Sequence, residues 1–281
     1  MKVPRVPAAP CEANMDIRTF SRSRLEEGLN IARAGQSGHE TIPRVLFAPS
    51  VVGEANFEQA CSLYGRLSPG DFNQVVIVES VPGSEDARIA VSSLDRFETP
   101  LGEVVANDRL RNEFCDEDDD FYVDDGREGC SPALTTHLMM LQVALGDYTA
   151  VSIRLQGDEP FLIREAAGAL DELLGNRPAL VVCCCHLPSR NREAFDRIQT
   201  LLDKGDLVGL MTLLGSEPIA LSGSASFTAG ALLCQSWNLG IQFGEAPDAT
   251  TTTSTPDEDS LTAPSLLAGC AHHLQASAAL G

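Results

Sequence analysis

Residues 96–108 read RFETPLGEVVAND, and the assignment of the fold depends on this stretch. Pro100 biases the residue before it toward an extended backbone, and Gly102 can adopt the positive φ that ends a tight turn. We therefore predict a fixed loop beside the strand ends that serves structure and not catalysis. The residues of this signature are Glu98, Thr99, Pro100, Leu101 and Gly102. We expect the carboxylate of Glu98 to accept backbone hydrogen bonds or to pair with an arginine.

On both sides of this stretch, short apolar runs alternate with segments of helical periodicity from about residue 20 to residue 245. That alternation is typical of an α/β protein, and continuous apolar strands indicate burial on both faces. We predict a single α/β domain over residues 1–281, in which a mixed, mostly buried β-sheet is flanked by helices on both faces. The predicted strands are 45–48, 75–78, 89–91, 151–155, 180–184 and 265–272.

The predicted helices begin near residues 21, 57, 134, 161, 194 and 228. Residues 194–214 fit one long helix or two helices broken near Gly205. The helix over 228–239 is expected to include Leu239. The acidic run 116–125 is predicted to be a solvated loop or an edge strand with Phe121 and Val123 facing inward.

Residues 245–264 read EAPDATTTTSTPDEDSLTAP. A threonine run with flanking prolines and few apolar side chains cannot bury enough surface to order itself. We predict a flexible insertion there.

The charge of the chain restricts its partners. Lys and Arg total 20 against 40 for Asp and Glu, a formal net charge of −20. Such a surface repels phosphate backbones and anionic lipid headgroups, so we expect neither nucleic acid nor a membrane as partner. An acidic surface with few lysines fits a salt-adapted cytosol, or equally a genome of acidic average composition. The first ten residues lack the apolar stretch of a secretory signal, and the nine cysteines include three in a row, so we expect reduced thiols and a cytoplasmic location.

The segment RFETPLGEVV resembles the F/W-E-T-P-L-G-x-V signature of the Memo family, the protein B component of the AmmeMemoRadiSam system. The similarity can be followed over almost the whole chain. It implies the fold of class III extradiol dioxygenases, with a pocket of histidines, an aspartate and a cysteine at strand ends. It also implies protein A or the radical SAM component of the same system as a protein partner.

The residues that the resemblance aligns with that pocket have a different chemistry in this chain. Histidine positions are occupied by Ser50, Pro82, Pro132 and Pro188, the aspartate position by Cys185 and the cysteine position by Ser222. Proline has no side-chain lone pair, and serine stays protonated near neutral pH, so neither supplies a metal donor or a general base. We therefore expect no catalytic residue and no cofactor. The resulting hypothesis is a non-catalytic Memo-like scaffold that binds a ligand or partner through a remnant pocket.

Two alternatives remain open. A metal-dependent, dioxygenase-like oxidoreductase could use iron, copper or zinc on relocated ligands, with Cys183, Cys185 and His186 as the fallback set. On an extended strand Cys183 and Cys185 share one side and Cys184 faces the other, so one side supplies at most two thiols. This favours the interpretation of the cysteines as small hydrophobic residues of a buried strand over that of metal ligands. In the other alternative, some function of the family never needed the metal. His137, on an apolar helix, is interpreted as a satisfied histidine of the core.

Overall fold

The computed structural model describes residues 20–35, 42–81, 88–117, 119–124, 130–189, 191–216, 221–244 and 266–273. Its helices are α1 (Arg22–Gly35), α2 (Phe57–Tyr64), α3 (Asp108–Glu117), α4 (Pro132–Ala144), α5 (Pro160–Leu174), α6 (Arg192–Asp203), α7 (Leu207–Ser216) and α8 (Ser224–Ser236). Its strands are β1 (Val45–Ala48), β2 (Gln74–Val81), β3 (Arg88–Ser92), β4 (Arg96–Thr99), β5 (Gly102–Ala106), β6 (Phe121–Asp124), β7 (Thr149–Gln156), β8 (Ala179–Cys184), β9 (Leu239–Phe243) and β10 (Gly269–His273).

All ten strands belong to one mixed sheet. The main order is β4-β5-β7-β2-β8-β1-β10-β9, and β3 joins β7 and carries β6. The central strands β7, β2, β8 and β1 run parallel, as do the pairs β5–β7 and β3–β6. The pairs β1–β10, β10–β9, β4–β5 and β3–β7 are antiparallel. One apolar core lies between the sheet and α3, α5, α6, α7 and α8, and a second lies between the sheet and α1, α2 and α4. The prediction of a buried mixed sheet with helices on both faces is therefore confirmed.

The signature residues form a β-hairpin and not an isolated loop. Thr99 pairs with Gly102 across the turn, and the φ of Gly102 is 119°, as the sequence predicted. The Thr99 hydroxyl donates to the Gly102 carbonyl (2.7 Å) and accepts from the Leu101 amide (3.1 Å), which closes the turn. Leu101 and Gly102 line a cavity together with residues that precede β2 and β7. The turn therefore lies near the amino ends of those strands, because β5 pairs only with the first residues of β7.

The expectation for Glu98 was wrong. Phe97 points into the core, so strand alternation exposes its neighbour Glu98 to solvent. Within the described residues no ion pair of Glu98 forms, because Arg96 pairs instead with Glu103 at 2.7 Å. Glu98 lies directly opposite Glu103 across the hairpin, so two carboxylates share one face.

We expect Glu98→Gln to leave stability unchanged or to raise it by up to about 1 kcal/mol, since like charges directly opposite destabilise a strand pair. Urea unfolding of both proteins near neutral pH measures this change. A loss of more than about 1 kcal/mol would mean that Glu98 makes a stabilising contact.

Other elements differ from the predictions in detail. Phe121 is buried, but Val123 is exposed, because β6 lies at the sheet margin and pairs only with β3. Residues 194–214 form two helices and not one, because the helical backbone is interrupted between α6 and α7 at Gly205, which has φ 66°. Helix α8 ends at Ser236, and Leu239 begins β9 after Asn238 takes a positive φ of 52°.

The predicted insertion at 245–264 lies outside the described residues. Among the described residues, none of the helices combines the length and apolar character that a membrane span requires.

Candidate functional site

The carboxyl ends of the parallel strands β1, β2, β7 and β8 meet at one side of the sheet, here called the carboxyl edge. Open α/β sheets place their ligands in crevices at this side. Ser50, half-buried, follows β1, and the buried Cys185 follows β8 and donates its amide to the Ala48 carbonyl at 2.8 Å. Ser222 is exposed and pairs through its backbone with His186 (2.7 and 2.9 Å).

The remaining positions of the predicted remnant pocket are more dispersed. Pro188 is half-buried two residues beyond His186, and Pro132 is exposed as the first residue of α4. Pro82 lies outside the described residues. The structure thus brings Ser50, Cys185 and Ser222 to the carboxyl edge without supplying imidazole or carboxylate at those positions.

Helix α8 is fixed to this edge by its first turn. Gly223 precedes it in the left-handed region (φ 79°, ψ 31°), where the chain runs against the backbone of residues 184 and 185. The Ser226 amide donates to the Ser80 hydroxyl (2.8 Å), and the Ser226 hydroxyl donates to the Val78 carbonyl (2.7 Å). The start of α8 is therefore held against the end of β2.

The cysteine run follows the predicted alternation. Cys183 and Cys185 belong to the core beneath α5 and α8, and Cys184 belongs to the core beneath α2 and α4. Burial raises the pKa of Cys183 to about 12 and raises the pKa values of Cys184 and Cys185 well above their ordinary value. These thiols stay protonated near neutral pH.

A buried polar cluster lies beside Cys184, on the side of the sheet covered by α4. Glu79 follows the apolar run of β2 and is only 7% exposed. Ser131, which caps α4 by accepting from the Leu134 amide (2.9 Å), donates its hydroxyl to Glu79 Oε1 at 2.8 Å. Burial raises the pKa of Glu79, while the Ser131 hydrogen bond and the charge of Arg154 act in the opposite direction. Among the described residues, Oε2 of Glu79 has no hydrogen-bond partner.

A second buried pair joins α2 to α4. The hydroxyl of Tyr64 lies 2.8 Å from Nδ1 of His137, and both side chains are fully buried. Burial lowers the pKa of His137 to about 4, although the nearby carbonyls of Pro49 and Ser50 favour its charged form. His137 is therefore neutral near pH 7. At Nδ1, His137 has the hydrogen-bond partner that the sequence predicted for a core histidine. Within the described part of the chain, its Nε2 has no hydrogen-bond partner.

His186 is the third buried polar side chain at the carboxyl edge. It is 3% exposed, and burial lowers its pKa to about 4. Its Nδ1 also has no hydrogen-bond partner in the residues described. Unpartnered atoms also occur in the half-buried side chains of Gln74, Arg111 and Glu159, but Glu79, His137 and His186 are buried residues, in which such atoms are rare. These three residues make the carboxyl edge a candidate site.

The described residues do not bring three or more His, Cys, Asp or Glu side chains into an arrangement that could hold a metal ion. The buried groups can instead donate or accept hydrogen bonds, and the carboxyl of Glu79 can carry a negative charge. The arrangement can therefore bind a polar group.

Acid should weaken the fold through His137. A folded pKa of about 4, below the ordinary 6.5, favours the neutral ring, so this stability is present above pH 6.5 and is lost as the pH falls toward 4. At about pH 5 the loss from this side chain is roughly 2 kcal/mol. Urea unfolding at about pH 7.5 and pH 5 measures it, with His137→Gln as the comparison, whose loss between these pH values should be smaller. Equal losses would show that His137 titrates normally in the fold.

Comparisons with known proteins show resemblance at the level of structure alone. No family model matches the chain, and no curated protein matches it in sequence. Among solved structures, the crystal structure of the uncharacterized protein JW3007 from Escherichia coli K12 is similar with a TM-score of 0.47 and 12% sequence identity. The match covers 81% of this chain and 96% of that chain. A similarity of this strength assigns no activity.

Proposed function

We propose that this chain is a Memo-like protein without a catalytic metal centre, which binds a small ligand or a protein partner at the carboxyl edge. One observation carries the proposal. Buried side chains at this edge hold polar atoms that lack partners among the described residues, namely those of Glu79, His137 and His186. A ligand bound at the carboxyl edge would supply these atoms with hydrogen-bond partners.

The chemistry of the aligned positions supports binding over catalysis. Where the resemblance expects histidine donors, Ser50, Pro132 and Pro188 offer none, and the thiol of Cys185 stays protonated because it is fully buried. A general base must lose its proton near the working pH, which neither a buried thiol nor a serine without a relay does. These residues can therefore line a binding site but do not supply catalytic groups.

Metal analysis of protein purified without a tag tests the first part of the proposal. We expect less than one tight equivalent of iron, copper or zinc after dialysis. A stoichiometric metal that disappears in the double variant Cys185→Ser with His186→Ala would contradict the proposal and favour a metal-dependent oxidoreductase. His272→Ala, which removes a half-buried imidazole of β10, serves as the control for an adventitious ion bound elsewhere.

A thermal-shift screen of small polar compounds tests the second part. Compounds that bind the carboxyl edge should raise the melting temperature of the wild-type protein, since a ligand that binds only the folded state stabilises it. The shift should shrink in Glu79→Gln. Hits that shift both proteins equally would place the binding site elsewhere.

A further inference from the structure

The carboxyl group of Glu79 is buried beside Arg154, its register partner in β7, whose charge acts to lower the carboxyl pKa. Within the described residues it forms no ion pair, and Arg154, the one guanidinium that acts on it, makes its ion pair with Asp124. The Ser131 hydroxyl satisfies Oε1 at 2.8 Å and leaves Oε2 buried and unpartnered. Burial of a carboxyl without a counterion is costly, so stability does not explain why a glutamate stands here.

Among the described residues that interact with the side chain of Glu79, Arg154 is positive and the others are neutral. The Cys184 thiol lies beside it in the adjacent strand, and burial keeps that thiol protonated. The Cys130 thiol, half-buried before α4, also stays protonated, and its pKa is raised further by the negative charges of both Glu79 and Glu98. Glu98 is exposed, and its negative charge acts on the same thiol as the charge of Glu79 does. Both carboxylates attract a positive charge toward this position.

The charge of the whole molecule acts in the same direction. A net charge of −20 raises the local concentration of cations at the surface. A cation that donates hydrogen bonds would satisfy Oε2 and neutralise Glu79 together. A neutral donor would satisfy only the hydrogen bond.

We propose that Glu79 is the anionic group of a binding site for a small primary ammonium compound, whose N–H groups donate to Oε2 at the carboxyl end of β2. This inference rests on the proposed binding function and names its ligand class. Ammonium binding favours the ionised carboxyl, so a proton leaves Glu79 when the ligand binds at a pH where that carboxyl is protonated.

Isothermal titration calorimetry with methylammonium, n-butylammonium and benzylammonium tests this site, and n-butanol and benzyl alcohol are the neutral counterparts. We expect at least one ammonium compound to bind the wild-type protein roughly tenfold or more tighter than it binds Glu79→Gln, and tighter than its alcohol. Glu172→Gln, an exposed carboxylate on α5, removes the same charge elsewhere and should bind as the wild type does. At about pH 5, where the raised pKa of Glu79 leaves part of the carboxyl protonated, titrations in two buffers of different ionisation enthalpy should show proton release that Glu79→Gln abolishes.

Absence of binding by all three ammonium compounds overturns the inference, as does equal affinity for an amine and its alcohol. Equal affinity of wild type and Glu79→Gln overturns it too, and a thermal melt of the variant confirms that it is folded. The metal content of the protein is a separate measurement. A metal-free protein that binds other compounds but no amine would leave the proposed function standing and reject this ligand class.

Discussion

Gly223→Ala is expected to cost about 3 kcal/mol or more, the largest loss among the substitutions considered. Gly223 has φ 79°, a conformation that L side chains rarely adopt. An added Cβ would lie 2.3 Å from the Cys184 carbonyl oxygen and 2.9 Å from the Cys185 Cα, both backbone atoms that cannot swing aside. The start of α8 must therefore move away from β8 and strain its hydrogen bonds to Ser80 and Val78.

Gly146→Ala is the matched control for this loss. Gly146 has φ 80°, but an added Cβ there meets nothing within 4 Å, so the variant measures the cost of the conformation alone at about 1 kcal/mol. The difference between the two variants, measured by urea unfolding, gives the cost of the steric contact. Equal losses would show that α8 does not pack against the backbone of residues 184 and 185.

The periodicity of the sequence predicted most of the fold because the central strands are buried on both faces. The apolar runs in β1, β2, β7 and β8 are continuous, and no helical pattern competes with them. The hairpin of β4 and β5 escaped prediction because its exposed residues mix charged side chains with the apolar Val105, and only Phe97 and Val104 mark the inner face. Strand β9 was missed since its apolar residues continue the pattern of α8, and the break depends on the positive φ of Asn238.

The candidate site was harder to predict because its contacts join distant parts of the chain. Tyr64 and His137 are 73 residues apart, and Glu79 and Ser131 are 52 residues apart. In the sequence, Tyr64 resembles one more residue of an apolar helix stripe. The sequence does show one sign of Glu79, because its carboxylate directly follows four apolar strand residues. The Memo resemblance, however, places the pocket residue after this strand at Pro82. Glu79, His137 and His186 are not among the pocket positions that the resemblance predicted.

Glu79→Gln is expected to stabilise the protein, and by more as the pH rises. The folded-state pKa of Glu79 is raised above its ordinary value by burial, so the folded protein holds this proton more tightly than the unfolded chain does. The stability that comes from the protonated form is complete below about pH 4.5 and is lost as the pH rises through the folded pKa. Glutamine keeps an oxygen that accepts from Ser131 and never ionises, so it avoids this loss.

At about pH 4 the two proteins should therefore unfold at similar urea concentrations, and at about pH 8 the variant should be more stable by roughly 1–3 kcal/mol, the usual cost of a buried polar group without a partner. Glu172→Gln should show no such pH-dependent gain, because its side chain is exposed in both states. A Glu79→Gln variant that is less stable than the wild type at about pH 8 would show that the carboxylate has a stabilising partner in the fold. A gain, by contrast, means that the glutamate is retained at a cost to stability. Such a cost is characteristic of a residue kept for binding.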